Sequence, residues 1–333
     1  MNFVNEPVTQ PQAAGSNGAG RPYDPRVTIV ETQALTQRFG PTVALDALDL
    51  QMQPGVTGLV GANGAGKTTL LNAMLGLRIP TSGSVTVMGF DPQKAGHRLR
   101  AMVGFAPERN VLPDEMRAVD FVRHLAEVQG LPRTEARNRA SDSLWLVGLG
   151  EERTRTLGTM STGQRQRVKL AQAIASDPKL VLLDEPTDGL DPVQRSEMLT
   201  LIGQISRDFS MNVVLSSHVL EEVERVCDHV VALDAGRLVA CGPIGELIGA
   251  GDGITLELVE VAEPDTSVET VESALRSGGL EVRREQTTLR LRGAGFDELC
   301  DRARDAVATA GARIRRLETL RRTLEDIFED APR

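Results

Sequence analysis

Residues 56–75 read VTGLVGANGAGKTTLLNAML, and the reading of this stretch decides the fold. VTGLV (56–60) has the composition of a buried strand, and TLLNAML (69–75) has the apolar spacing of a helix. Between them GANGAGKTT, Gly61–Thr69, fits G-x-x-x-x-G-K-[ST]. Glycines there let successive backbone N–H groups point inward, and the helix N-terminus adds the positive end of its dipole. Such a cradle suits phosphate oxygens. Its candidate residues are Gly61, Asn63, Gly64, Ala65, Gly66, Lys67, Thr68 and Thr69. Lys67 would reach the β- and γ-phosphates of a nucleotide, and the Thr68 hydroxyl would ligate Mg²⁺. The competing reading is a glycine-rich strand-to-helix turn that matches by chance. The strand before and the helix after weigh against it.

Outward from this loop, short β-rich runs alternate with helical stretches: VTIVETQAL (27–35), SVTVMG (84–89), LVLLD (180–184), NVVLSS (212–217) and HVVALDAG (229–236). Several are almost continuously apolar, as strands buried on both faces of a parallel sheet must be. The class is α/β. Between Asp114 and Gly158 strand signals vanish, and AVDFVRHLAEVQG (118–130) and RTEARNRASDSLWLVGL (133–149) read as helices of a subdomain inserted at about 110–160. KLVLLDEP (179–186) ends a buried strand in two carboxylates, at the sheet edge where α/β folds bind ligands. Adjacent strand residues face opposite ways, so the two have separate roles. Asp184 suits holding Mg²⁺ through water, and Glu185 suits orienting and deprotonating an attacking water. Alone, the pair could equally be an acidic exit to a surface loop.

The ends of the chain add limits. Residues 1–26 lack a basic start and an apolar core segment, so a disordered lead-in is expected rather than a signal peptide. No apolar run approaches the ~18 residues that would cross a bilayer. After a Gly/Pro-rich boundary, ACGPIGELIGAGDG (240–253), the rhythm changes to strand (254–261), helix (267–276), strand (280–284), strand (288–292), helix (297–310), strand (313–318) and a last helix near 324–328. This βαββαβ order predicts a small α+β ferredoxin-like module with an added helix. The expected division is a sheet domain at 27–245 and an accessory domain at 253–333. A net charge of -9 leaves no footprint for nonspecific nucleic-acid binding, and the basic run RIRRLETLRR (313–322) reads as a solvated face. Cys227, Cys241 and Cys300 lie far apart with no CxxC pair, which argues against a disulfide framework or a zinc site and fits a reducing cytoplasm.

The ordered motifs resemble those of the ATP-binding subunit of an ABC transporter, over about Val27 to Gly242. The family signature, written LSGGQ, is here MSTGQ (160–164). In order stand an A-loop aromatic candidate at Phe39, the Walker A loop at 61–69, a Q-loop position at Glu108 in GFAPERN, the signature, Walker B with Glu185, a D-loop DGLD ending at Asp191, and a switch histidine, His218. The resemblance implies a P-loop NTPase with an inserted helical subdomain, using ATP and Mg²⁺. Phe39 would stack on adenine. Ser161 would donate its hydroxyl to the γ-phosphate held by an opposite subunit, Gly163 would allow close approach, and the helix from Gln164 would aim its N-terminus there. An ordinary serine N-cap also describes Ser161. Glu108 stands where the family has glutamine; it could bind magnesium or its water, yet it adds negative charge beside ATP. Thr162 replaces a glycine.

One Walker set and one signature per chain imply a head-to-tail dimer, either a homodimer or a pairing with a second ABC ATPase. The implied partner is an integral membrane permease, with the chain peripheral on the cytoplasmic face of the membrane. The ending TLEDIFED resembles bacterial drug, antibiotic or lipid exporters, and direction rests on that resemblance alone. The alternative is a soluble ABC ATPase acting on ribosomes or DNA, whose tandem domains or long coiled-coil insertion this chain lacks. Arg165, Arg167 and Lys169 are expected to be solvated or paired with acidic neighbours.

Overall fold

The computed structural model describes residues 28–109, 112–248, 250–259, 266–321 and 323–329, so the lead-in expected at 1–26 lies outside the described residues. The chain begins with β1 (Val30–Phe39), β2 (Thr42–Met52), β3 (Val56–Val60), α1 (Lys67–Met74), β4 (Ser82–Val87), α2 (Gly96–Met102) and β5 (Val103–Ala106). Next come α3 (Ala118–Val128), α4 (Arg133–Leu146), α5 (Thr162–Ile174), β6 (Leu180–Leu183), α6 (Pro192–Phe209), β7 (Asn212–Ser217), α7 (Leu220–Val226), β8 (His229–Asp234), β9 (Arg237–Pro243) and α8 (Ile244–Leu247). Last are β10 (Ala250–Leu258), α9 (Thr266–Ser277), β11 (Glu281–Glu285), β12 (Thr288–Arg292), α10 (Phe296–Thr309), β13 (Ile314–Arg321) and α11 (Leu324–Glu329).

A six-stranded sheet, β5-β6-β7-β3-β8-β9, carries the candidate motifs. Its strands pair in parallel except β9, which runs antiparallel to β8 at the edge. Period-two alternation divides its apolar side chains between two cores. Leu180, Leu182 and Val214 face one cluster, with α1 and the smaller sheet; Val181, Leu183, Val213 and Leu215 face the other, with α3 to α6. Burial on both faces explains why these strands read as unbroken apolar runs.

Two runs that look alike in sequence belong elsewhere. The runs at 27–35 and 84–89 supply residues of β1 (Val30–Phe39) and β4 (Ser82–Val87), which belong to a three-stranded antiparallel sheet, β2-β1-β4. β2, with Leu48, Leu50 and Met52 buried at alternate positions, is its third strand. The helical insertion is closed at its base, where Arg117 bridges Thr156 and Leu157 N–H donates to Met116 C=O at 2.9 Å.

The C-terminal sheet has the order β11-β12-β10-β13, antiparallel throughout, with α9 and α10 over one face. The split βαβ pairs give the ferredoxin-like order. The added helix pairs with this module through Asp326–Arg292 and Glu329–Arg283, at 2.7 and 3.0 Å, and turns its apolar face to the sheet domain. Thr323 and Asp326 cap it reciprocally: Thr323 N–H donates to the Asp326 carboxylate at 2.8 Å, and Asp326 N–H to the Thr323 hydroxyl at 3.4 Å. Leu324 and Ile327 are buried in the same core cluster as Val223 of α7, and Leu324 N–H donates to the Glu224 carboxylate at 2.8 Å. TLED is therefore a capping box whose helix docks on the sheet domain.

Candidate active site

The glycine-rich loop runs from the end of β3 to the start of α1. Gly66 shows why the motif needs glycine: its φ is +106°, and a Cβ there would lie 2.6 Å from the Ala44 carbonyl oxygen. Lys67 is 5 % exposed, and its ammonium donates to Gly61 C=O at 2.7 Å. It also lies 3.1 Å from Glu185 Oε1.

Glu185 follows β6 with a left-handed φ of +47°, a costly conformation for a side chain that is not glycine. Its other oxygen, Oε2, is 2.9 Å from His218 Nδ1. The structure thus joins Lys67, Glu185 and His218, which are far apart in sequence. The aligning device is β7, whose exit residues Ser216, Ser217 and His218 each serve a different group. Ser216 Oγ accepts from Glu185 N–H at 2.8 Å and donates to Asp184 Oδ1 at 2.7 Å, so it orients both carboxylates. Ser217 Oγ donates to Glu222 at 2.9 Å; that buried carboxylate also accepts from Thr187 Oγ1 at 2.8 Å and pairs with Arg195 at 3.0 Å. Sequence reasoning took only His218 from this triplet. Ser216, Ser217 and Glu222 carry no signal before the segments are brought together.

A cleft of about 390 Å³ is lined by Ala44, Asn63, Gly64, Gly66, Lys67, Thr68, Thr69, Glu108 and Glu185. Thr68 and Glu108 supply oxygen donors there, while Asp184 is 2 % exposed and lies outside the lining. Among the described residues no group of three or more His, Cys, Asp or Glu side chains could hold a metal on its own. This donor set fits Mg²⁺, which takes one or two carboxylates and completes its shell with water and substrate phosphates. A helix N-terminus with inward N–H groups fits the phosphates themselves.

Ser161, Gly163, Gln164, Phe39 and Asp191 are not part of this lining. Phe39 is 41 % exposed with the Arg78 guanidinium 5.4 Å from its ring centre. Asp191 caps α6, accepting from Val193 and Gln194 N–H at 3.0 and 2.9 Å. Ser161 caps α5, which starts at Thr162, two residues before the expected Gln164. Gln164 completes the capping box by accepting from Ser161 N–H at 3.1 Å. Gly163 is backed by Gln194, whose Oε1 would lie 2.8 Å from an added Cβ.

Arg165 and Arg167 pair with Asp114 and Glu197 at 2.9 and 2.8 Å. Lys169 departs from the expected setting, solvated or paired with an acidic neighbour; among the described residues it is neither. It is 3 % exposed on the inner face of α5, and its ammonium donates to Glu108 C=O at 3.0 Å. Burial lowers its pKa to about 8 against the opposing pull of Asp184, Glu108 and Asp188.

Comparison with known proteins gives concordant results. Residues 45–188 match the family described as ABC transporter. The chain is 33% identical over 284 residues to the methionine import ATP-binding protein MetN of Mesorhizobium japonicum, covering 84% of this chain and 78% of that one. It is 33% identical over 234 residues to the Nod factor export ATP-binding protein I of Cupriavidus metallidurans, covering 70% of this chain and 76% of that one. Among solved structures, cbiO1 from Clostridium perfringens, part of the ABC transporter complex cbiONQ, superposes with a TM-score of 0.60 at 27% identity, over 66% of this chain and 90% of that one.

Proposed function

The chain belongs to the ABC transporter family as one of its ATP-binding subunits, and on that premise we propose that it is the motor of an export system, driving a separate membrane-spanning permease. It binds ATP with Mg²⁺ and hydrolyses it. The observation that carries the residue assignment is the convergence of Lys67, Glu185 and His218 at the phosphate cradle.

Phosphoryl transfer asks the protein for positioning and charge neutralisation. The loop N–H groups and Lys67 hold the β- and γ-phosphates. Thr68, Glu108 and, through water, Asp184 would hold Mg²⁺, which when bound would offset phosphate charge. Glu185 orients a water and takes its proton as the water oxygen bonds to the γ-phosphorus and the bond to the bridging oxygen of ADP breaks. His218, on the far oxygen of Glu185, fixes the carboxylate and reaches toward the γ-phosphate. A γ-phosphate competes with Glu185 for the Lys67 ammonium, which frees the carboxylate for the water.

Phe39 stacks on adenine. Ser161, Gly163, Gln164 and Asp191 meet the nucleotide of a second subunit, a reading supported by the match of MSTGQ and DGLD to the family motifs. The chain sits on the cytoplasmic face of the membrane; among its described residues no helix is long and apolar enough to cross one. Export is supported by the similarity to the Nod factor export protein, and import is the second reading, supported by the similarity to MetN.

The decisive test is Glu185→Gln. Phosphate release should fall by about 10²- to 10⁴-fold, the usual worth of a general base, while Mg²⁺-ATP still binds. A variant that turns over at the wild-type rate would remove Glu185 from its role. Co-purification from the native host identifies the permease. Solute movement in vesicles rebuilt with it then gives direction.

A further inference from the structure

The buried face of α5 carries a polar stripe at three-residue spacing. Gln166 donates to Asp188 C=O at 3.1 Å, Lys169 to Glu108 C=O at 3.0 Å, and Gln172 to Phe105 C=O at 2.6 Å. The helix that begins with the signature thus holds β5, the segment after it and the loop after Glu185. Neutral carboxamides do this work at both ends of the stripe. A buried ammonium is far more costly than an amide, so the charge at the middle position needs its own reason.

That reason lies in the carboxylates around it. The buried Lys169 ammonium sits at the Glu108 carbonyl, 3.0 Å away, and Asp184, Glu108 and Asp188 are the neighbouring carboxylates that favour its charged form. Glu108 also lines the cleft beside Glu185, where it would repel the phosphates of ATP. We propose that Lys169 is a positioning residue of the nucleotide site: it fixes the Glu108 loop through its carbonyl and supplies the positive charge that lets a carboxylate stand beside bound phosphates. The residue acts through Glu108. This inference rests on the reading of the cleft as the ATP site.

The test is a cycle of variants of the full chain, with Mg²⁺-ATP affinity read by titration calorimetry and folding by thermal melts. Lys169→Gln keeps a donor for the carbonyl and removes the charge; Lys169→Met removes both. Each should weaken Mg²⁺-ATP binding by about tenfold, within the range of coupling between neighbouring groups. Glu108→Gln keeps a side-chain oxygen for Mg²⁺ and removes the charge that repels the phosphates, so it should tighten binding. In that background the Lys169 substitutions should cost less than about threefold, because the charge they were balancing is gone. Equal losses in both backgrounds, or no loss for Lys169→Gln, would overturn the proposal and leave Lys169 as packing alone. Wild-type protein that binds no nucleotide would instead sink the reading of the cleft, and this proposal with it.

Discussion

Ser216 spends both capacities of its hydroxyl on consecutive residues, accepting from Glu185 N–H and donating to Asp184. Ser216→Ala leaves a buried N–H and a buried carboxylate each short of a partner. A stability loss of about 1–3 kcal/mol is expected in urea unfolding. The same variant should lower kcat about tenfold with a smaller change in KM, since a shifted Glu185 affects the chemical step more than binding. A stability loss with unchanged kcat would confine Ser216 to structure. At this scale the sequence yields residues that act within one contiguous motif, such as Lys67 and Thr68. Glu222 and Lys169 are illegible by comparison, because each owes its role to a segment distant in the chain. Lys169 also resembles its half-buried arginine neighbours, and only full burial and the lack of an ion pair among the described residues separate it from them.

Among elements, the parallel strands were legible because burial on two faces leaves an unbroken apolar run. β2 was passed over because its polar and apolar residues alternate, and β5 because it is only Val103–Ala106. β1 and β4 share composition with the parallel strands, so their separate sheet is set by pairing rather than by local sequence. The last helix is the reverse case, a short motif whose meaning lies in its docking. Burial alone would raise the Asp326 carboxyl, but bonds from Thr323 and Arg292 outweigh it and hold the pKa below the ordinary 3.8. A folded pKa below the unfolded one contributes stability that is full above 3.8 and is lost as pH falls through the folded value. Asp326→Ala should therefore cost about 1 kcal/mol near neutral pH, the worth of a helix cap. Its melting curve should converge on the wild-type one in acid below the aspartate range. A constant gap across that range would show that the carboxylate charge is not the source.

For the whole molecule, the proposed function has Ser161 and Gly163 supplied to the nucleotide by a second copy or a second ATPase. Glu185→Gln protein with Mg²⁺-ATP should sediment as a dimer. Ser161→Arg in that background should return it to monomer, while lowering stability by no more than the ~0.5–2 kcal/mol of an N-cap. A dimer that survives the arginine would place the interface elsewhere. The docking of α11 on α7 has a further consequence in time. A ribosome releases α7 and β9 before it has made Leu324 and Ile327, so the sheet domain emerges with an apolar seat still open. The newborn protein completes its nucleotide-binding half only when nearly the whole C-terminal module has been synthesised, which ties maturation of the motor to the integrity of its tail.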